Sequence, residues 1–217
     1  MAAPTGQPTS SALVDGWEDL FDGHSTDALR GYGRSSWPTG HWVIDGDALR
    51  AVPGPGTDLI SRDAYRDFEL EFEWRVSAGG NSGVMYRVAE TEEPPWTSGP
   101  EYQILDDSVH RDGRVPATSA GALYDLIPPG PEKSLMPVGS FNSGRIVVRD
   151  GRVEHWLNGA MVVTYRWNEA DVRARIAASK FAELGGFMAS DEGHIVLQHH
   201  GEEVWLRAVR IRRLVSP

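Results

Sequence analysis

The sequence predicts an all-β domain in which two antiparallel sheets pack face to face, with one short helix. Short apolar runs alternate with Gly, Pro, Asn and Asp from Trp17 onward, and only one stretch has a helical composition. Some 217 residues suit one domain, since β-sandwiches reach about 200–250 residues as one unit. About ten strands with so little helix favour two packed sheets.

The chain begins with a small, polar and Pro-containing segment. We expect residues 1–14 to be a disordered tail and residues 15–217 to form the single sandwich domain. The segment lacks the basic and apolar regions of a secretory signal, and no apolar run approaches the roughly 18–20 residues that cross a bilayer. This pattern favours the cytoplasm over export and predicts no membrane partner.

The predicted strands follow one another with recognisable turns. Residues 68–74 alternate apolar residues with Glu, and residues 83–88 follow after a Gly-rich turn, which suggests a hairpin. Asp150-Gly151 and Asn158-Gly159 are strong signals for two-residue hairpin turns. Further strands are predicted at 42–44, 48–52, 101–105, 145–149, 153–157, 161–165, 195–200 and 204–211.

The remaining segments are one helix and two long connections. Residues 168–182 contain good helix formers without Gly or Pro and predict the single helix. Residues 90–100 and 127–143 are too rich in Pro and Gly for strands. Because long ordered loops on a rigid sheet often shape a binding site, we expect them to border one.

Charge and composition limit the partners. The net charge is −10, whereas nucleic-acid-binding proteins present basic stripes to the phosphate backbone. We therefore expect no nucleic-acid partner. The chain has no cysteine, so neither a disulfide framework nor a thiolate metal site is available.

Seven blocks occur in the order of a known family. They are GWEDLFDG at 16–23, WVIDGDAL at 42–49, DFEL with GGNSGV at 67–84, EYQILD at 101–106, GALY at 121–124, HWLNG at 155–159 and VWLR at 204–207. With these blocks in order, the chain resembles the 3-keto-disaccharide hydrolase family, formerly a domain of unknown function, over roughly residues 16–214. The resemblance implies a jelly-roll sandwich of the concanavalin-like and laminin-G-like kind, and a small-molecule or oligosaccharide substrate.

The resemblance also implies cleavage of glycosides already oxidised to a ketone at C3. Such a ketone acidifies the hydrogen on C2, so a positioned base can remove it. The enolate then expels the substituent at C1, and water can add back across the double bond. This chemistry needs a base, a donor or cation near the C3 oxygen, and an acid near the leaving oxygen. It does not need the paired carboxylates of ordinary glycosidases.

Strand alternation and the resemblance together indicate the candidate side chains. Glu101, His155 and His200 are the expected acid, base and orienting groups. We assign His155 to an open face on the assumption that Trp156 points into the core; a satisfied core histidine is the alternative. The expected substrate-binding residues are Arg87, Gln103, Asp106, Tyr124 and Arg207. For Arg87, a surface ion pair is the alternative.

One block departs from the family pattern. Where the family usually has Gln-Asp-His-Gly, this chain has Gln198-His199-His200-Gly201. Alternation places Gln198 and His200 on one face and His199 on the other, so we favour His200 as the site residue.

A divalent metal is left open as a cofactor. His155, His200 and Glu101 could together supply an imidazole–carboxylate set that suits a Lewis-acidic ion. The sequence contains no local metal motif such as HExxH or an EF-hand loop.

Two other functions compete with a 3-keto-glycoside hydrolase or lyase. One is a non-catalytic carbohydrate-binding module of the same fold, in which Trp96 could stack on a sugar ring. The other is a conventional glycoside hydrolase built on Glu69 and Glu73 of the pattern Glu69-x-Glu71-x-Glu73, although a solvated outer sheet face explains these three glutamates without any chemistry.

Overall fold

The computed structural model describes residues 16–215. It contains two antiparallel sheets and one α-helix, so the prediction of an all-β jelly-roll sandwich with one short helix is confirmed. The expected disordered tail, residues 1–14, lies outside the described residues. Within the described range, no helix has the length and apolar character needed to span a membrane.

The described residues form thirteen strands, three short 3₁₀ helices and one α-helix, α1 (Ala170–Ala177). The strands are β1 (Trp17–Phe21), β2 (Leu29–Gly31), β3 (Trp42–Asp45), β4 (Ala48–Ala51), β5 (Leu59–Tyr65), β6 (Phe68–Val76), β7 (Asn81–Val88), β8 (Glu101–Leu105), β9 (Asn142–Arg149), β10 (Arg152–Leu157), β11 (Ala160–Arg166), β12 (Gly193–Leu197) and β13 (Val204–Arg213).

The strands divide into an eight-stranded and a five-stranded sheet. The larger sheet has the order β11-β10-β9-β6-β13-β4-β3, and β1 pairs with β13 beside this path. The smaller sheet has the order β2-β5-β12-β7-β8, which leaves β8 at an edge.

Two predicted hairpins are confirmed at the β9–β10 and β10–β11 connections. The central residues of both turns have positive φ: 49° for Asp150, 75° for Gly151, 48° for Asn158 and 82° for Gly159. Two-residue turns of this kind match the twist of the paired strands, and Asn-Gly and Asp-Gly adopt them at little cost.

The predicted hairpin between residues 68–74 and 83–88 is wrong. β6 pairs with β9 and β13, whereas β7 pairs with β8 and β12 in the other sheet. The Gly-rich turn therefore carries the chain from one sheet to the other. Two strands that face each other across a core have the same alternation as two hydrogen-bonded neighbours, so the pattern could not distinguish these arrangements.

The core lies between the inner faces of the two sheets. Phe68 and Phe72 of β6 are buried against residues of the smaller sheet, including Tyr86 and Tyr102. The rings of Phe72 and Tyr102 pack edge to face with their centres 5.3 Å apart. Full burial of each such side chain stabilises the fold by roughly 1.5–3 kcal/mol relative to exposure.

The outer face of the larger sheet carries charges in register. Each of the three glutamates of β6 is paired with an arginine on the neighbouring strand β13. The pairs are Glu69–Arg212, Glu71–Arg210 and Glu73–Arg207. Glu71 and Glu73 are partly exposed, whereas Glu69 is only 6% exposed and pairs with both Arg145 and Arg212. All three glutamates therefore have partners other than a substrate.

The helix is shorter than the range 168–182 that the sequence predicts. It ends at Ala177, and the residues that follow fold into turns. The Ser179 hydroxyl accepts the N–H of Phe181 at 3.1 Å, a local hydrogen bond that competes with helix continuation. These turns bring Lys180 and Phe181 to the smaller sheet.

Candidate functional site

A pocket of about 170 Å³ lies on the outer face of the smaller sheet, at the edge formed by β8. Tyr102 and Ile104 of this strand face the core, and strand alternation therefore turns Glu101 and Gln103 towards the pocket. The lining residues are Asn81, Trp96, Gly99, Glu101, Gln103, Tyr124, Lys180, Phe181, Gln198 and His200.

Glu101 has room at this position because β7 carries a glycine beside it. A Cβ atom added to Gly83 would lie 2.0 Å from Glu101 Oε1 and 2.6 Å from its Cγ. The φ of Gly83 is ordinary, so the close approach of the Glu101 side chain is what requires glycine here.

The surroundings of Glu101 keep its carboxyl group protonated near neutral pH. Burial raises the pKa of Glu101 to about 8, with smaller contributions in the same direction from Asp58 and Asp112, and the positive charge of Lys180 opposes this rise. A buried carboxyl with a pKa in this range is suited to donate a proton at neutral pH.

His200 is oriented by a carboxylate. Its Nδ1 lies 2.7 Å from Glu202 Oε2, and its Nε2 lies 3.4 Å from Asn81 Nδ2. A carboxylate only accepts hydrogen bonds. In the neutral imidazole the proton is therefore on Nδ1, and Nδ1–H donates a hydrogen bond to Glu202. The lone pair of Nε2 then faces the amide nitrogen of Asn81, which also lines the pocket.

Lys180 supplies a positive charge at the rim of the pocket, and sequence analysis missed it. Its Nζ lies 4.2 Å from the ring centre of Tyr124, 5.1 Å from that of Phe181 and 5.7 Å from that of Trp96. Aromatic faces attract a cation at these distances. The residue was placed inside a predicted helix, where nothing distinguished it from a solvated lysine.

The assignment of His155 to the open face is wrong. The side chain is fully buried between the sheets, with Nε2 2.8 Å from the Tyr86 hydroxyl and Nδ1 3.3 Å from the Gly121 carbonyl. Trp156 instead lies on the outer face, where Glu154 accepts its indole N–H. Burial lowers the pKa of His155 to about 4, so this histidine is a neutral part of the core.

The metal set that we considered is therefore not assembled, because His155 lies in the core and not beside Glu101 and His200. Among residues 16–215 there is no group of three or more His, Cys, Asp or Glu side chains that could hold a metal ion.

Arg87 also does not reach the pocket. Its guanidinium group is 3% exposed, donates to the Arg66 carbonyl, and lies 4.4 Å from the ring centre of Trp167. An ion pair with Asp67 at 3.4 Å completes its surroundings. The φ of Arg87 is 52°, and the pairing of β7 with β12 shifts register at this point, which marks a β-bulge. The bulge breaks the alternation from which an open-face position was predicted.

Two further predicted binding residues have structural roles elsewhere. Asp106 accepts the N–H groups of Gly79 and Ser108 in the turn after β8. Arg207 lies on the outer face of the larger sheet, where it pairs with Glu73 and Asp47. Of the eight predicted site residues, the pocket brings together Glu101, Gln103, Tyr124 and His200.

The two adjacent histidines separate as predicted. His200 lines the pocket, whereas His199 packs against Trp42 with ring centres 5.5 Å apart. A Cβ atom on Gly56 would lie 2.3 Å from the His199 ring, so this ring occupies space that glycine leaves free. Asp58 accepts the backbone N–H of His199 at 2.6 Å, and thereby holds the segment that carries His200.

A larger groove of about 600 Å³ lies on the outer face of the larger sheet, beside Glu71, Arg145, Trp156 and Arg210. Its charges are largely matched, since Arg210 pairs with Glu71. We place the site in the smaller pocket because that pocket contains the buried acid, the oriented imidazole and a cation.

Comparison with known proteins shows the family to which this chain belongs. The model of the 3-keto-alpha-glucoside-1,2-lyase-like domain matches residues 16–212. The chain belongs to this family. The family resemblance inferred from the seven blocks is thus confirmed, and the match covers every strand except the last residue of β13.

Two relatives are similar to this chain over most of its length. A protein of Bacteroides thetaiotaomicron named 3-keto-disaccharide hydrolase is 34% identical, over 93% of this chain and 79% of the relative. A solved structure from Parabacteroides distasonis, named as a candidate glycosyl hydrolase, has a TM-score of 0.85 at 27% identity and covers 94% of this chain and 99% of its own.

A more distant structure is similar to this chain in fold alone. The carbohydrate binding module CBM66 from Bacillus subtilis has a TM-score of 0.53 at 12% identity, covering 85% of this chain and 95% of its own. The family match and the 34% identical relative favour a carbohydrate-active enzyme over a non-catalytic module.

Proposed function

We propose that the protein cleaves glycosides whose C3 carbon is a ketone, by removing the C2 proton and expelling the substituent at C1. The observation that carries this proposal is one pocket that holds a carboxylate-oriented imidazole, a protonated buried carboxyl and a cation. Family membership and the name of the 34% identical relative point to the same chemistry.

His200 acts as the base in this proposal. The unprotonated Nε2 faces the Asn81 amide N–H at 3.4 Å, and this long hydrogen bond is given up as Nε2 accepts the C2 proton. Glu202 stabilises the imidazolium that forms through the hydrogen bond to Nδ1. The electron pair of the C2–H bond moves into the enolate, whose negative charge develops on the C3 oxygen.

Lys180 stabilises that oxygen. Its ammonium group carries a positive charge beside a buried region, where electrostatic interactions are stronger than in water. Tyr124 and Phe181 restrict where this charge can lie, because both rings contact it.

Glu101 acts as the acid. The C1–O bond breaks with its electron pair on the leaving oxygen, and that oxygen takes the proton of Glu101. The products are the free alcohol and a 1,2-unsaturated 3-keto sugar. For net hydrolysis, water adds to this double bond, with hydroxide at C1 and a proton at C2, and the roles of acid and base reverse.

The test compares 4-nitrophenyl glucoside with its 3-keto derivative as substrates of the purified protein, by following release of nitrophenol. We expect release from the keto substrate alone. Equal release from the unoxidised glucoside would indicate a conventional glycosidase. Binding of either sugar without release from either would indicate a binding module and would contradict the proposal.

A further inference from the structure

Three of the residues that line the pocket have a buried amide oxygen without a hydrogen-bond partner among the described residues. These oxygens are Asn81 Oδ1, Gln103 Oε1 and Gln198 Oε1, and we refer to these three residues as the amide set. Leaving a buried acceptor unpaired costs about 1–3 kcal/mol. Three such acceptors at one pocket indicate a ligand that brings hydrogen-bond donors.

Two of the amides are fixed in orientation, because rotating the amide group by 180° would lose the contact that its nitrogen makes. Gln103 Nε2 donates to the Thr118 carbonyl at 3.2 Å, and Asn81 Nδ2 faces His200 Nε2 at 3.4 Å. The Asn81 and Gln103 side chains are 4% and 1% exposed. Their carbonyl oxygens are therefore fixed acceptors rather than adaptable surface groups.

The pocket volume limits what these acceptors can meet. Sites for drug-sized ligands enclose about 300–1,000 Å³, whereas this pocket encloses about 170 Å³. This volume suits one sugar ring rather than two. Trp96, which is 39% exposed, stands at the rim, where the rest of a larger ligand would lie.

We infer that the amide set recognises the hydroxyl donors of a single pyranose ring, and that Asn81 and Gln198 are substrate-binding residues. This inference rests on the proposed function, and it adds which part of the substrate enters the pocket and how it is read. Hydroxyl groups satisfy the three acceptors. The C3 ketone has no proton to donate, so its oxygen pairs with Lys180 instead.

The site therefore favours the oxidised ring with its other hydroxyls intact. A site built to hydrogen-bond a substrate hydroxyl discriminates strongly against the analogue that lacks it, because the buried acceptor is then left unpaired. Gln198 is the cleanest probe because, unlike Asn81 and Gln103, its side chain makes no hydrogen bond among the described residues that a substitution would disturb.

The test is a cycle between substrate and protein. We would measure kcat/KM for methyl 3-keto-glucoside and for its 4-deoxy and 6-deoxy analogues, with wild type, Gln198→Ala and Asn81→Ala. Wild type should prefer the full substrate to at least one analogue by 10-fold or more. One of the two variants should reduce that preference to below about 3-fold. Glu71→Gln, on the opposite outer face, serves as the control for a remote substitution.

The outcomes separate this inference from the proposed function. Turnover by wild type with an unchanged preference in both variants would overturn the inference and leave the proposed function intact. Failure of wild type to turn over any 3-keto-glycoside would refute the proposed function. In that case, calorimetric binding of glucose, weakened at least 5-fold in Gln198→Ala, would still support the amide set. Binding of Ca²⁺ that is lost in Gln198→Ala would overturn it, since the oxygens would then be metal ligands.

Discussion

Single residues of the same type have opposite roles in this protein. His155 and His200 both lie in blocks that resemble the family, but the first is closed inside the core and the second faces the pocket. The difference lies in their partners. The Tyr86 hydroxyl and the Gly121 carbonyl contact the two ring nitrogens of His155, whereas Glu202 orients His200 so that its Nε2 faces the Asn81 side chain at the pocket.

Glu101 is the residue on which the proposed chemistry depends most. Glu101→Gln keeps the shape of the side chain but removes the proton that would protonate the leaving oxygen. We expect kcat/KM for the 3-keto substrate to fall by about 10²–10⁴-fold, the usual contribution of a general acid or base. Steady-state kinetics would measure this, with circular dichroism to verify folding. Activity within 3-fold of wild type would remove Glu101 from the mechanism.

The raised pKa of Glu101 also predicts a pH dependence. The acid form is present below a pKa of about 8, so wild-type kcat/KM should fall as the pH rises through that value. The folded protein keeps this proton above 4.5, the value for an ordinary glutamate, whereas the unfolded chain loses it. The stabilising contribution is therefore complete below about pH 4.5 and lost through about pH 8. Urea denaturation should show a smaller loss of stability over that range in Glu101→Gln.

At the scale of the elements, the approach of β7 and β8 forms the base of the pocket. Gly83 and Glu101 lie on these neighbouring strands, and the missing side chain of one accommodates the other. Gly83→Ala should displace the carboxyl group and reduce kcat/KM at least 10-fold, since small displacements of a catalytic group are costly. Gly185→Ala is the matched control, because a Cβ atom there meets nothing within 4 Å. Equal activity in both variants would contradict this packing.

Strand β10 supports the site from within the core. His155 links the larger sheet to the Gly121 carbonyl, and the N–H of Gly121 donates to the carbonyl of Gln103. We expect His155→Phe to lower the free energy of unfolding by about 1–3 kcal/mol, because hydrogen bonds to two buried groups are lost. The kcat of the folded variant should stay within about 3-fold of wild type. A 100-fold loss of kcat at unchanged stability would restore a catalytic role for His155.

At the scale of the whole molecule, the sandwich has two outer faces with different roles. The smaller sheet carries the pocket, and the larger sheet carries a row of glutamate–arginine pairs. Glu73→Gln breaks one of these exposed pairs and should change the free energy of unfolding by less than about 1 kcal/mol. Its activity on the 3-keto substrate should match that of wild type. Loss of activity in this variant would favour a conventional glycosidase on the other face.

Much of the fold could be predicted because the strands alternate clearly. The bounds of β8 agree with prediction, and alternation along this strand places Glu101 and Gln103 at the pocket while Tyr102 faces the core. Alternation defines two faces but not which of them is buried. In β10 both faces carry an aromatic ring, and the sequence therefore predicts the inward and outward directions of Trp156 and His155 the wrong way round.

Other parts of the site depend on contacts that no local pattern encodes. Lys180 reaches the pocket because a helix ends early and its turns cross the smaller sheet. Asn81 was read as part of a turn, although it begins β7. The bulge at Arg87 reversed the direction that simple alternation assigns. These positions are set by tertiary packing rather than by periodicity.

The most direct measurement follows the C2 hydrogen of a 3-keto-glucoside during turnover in D₂O, by proton NMR, with an enzyme-free sample and Glu101→Gln as references. Removal of the C2 proton predicts that the unsaturated product lacks the original hydrogen, and that the hydrated product carries deuterium wherever the proton held by His200 exchanges with solvent before it returns to C2. Complete retention of the original C2 hydrogen, with no unsaturated product formed, would show that the C1 substituent leaves without enolate formation, and would contradict the proposed mechanism.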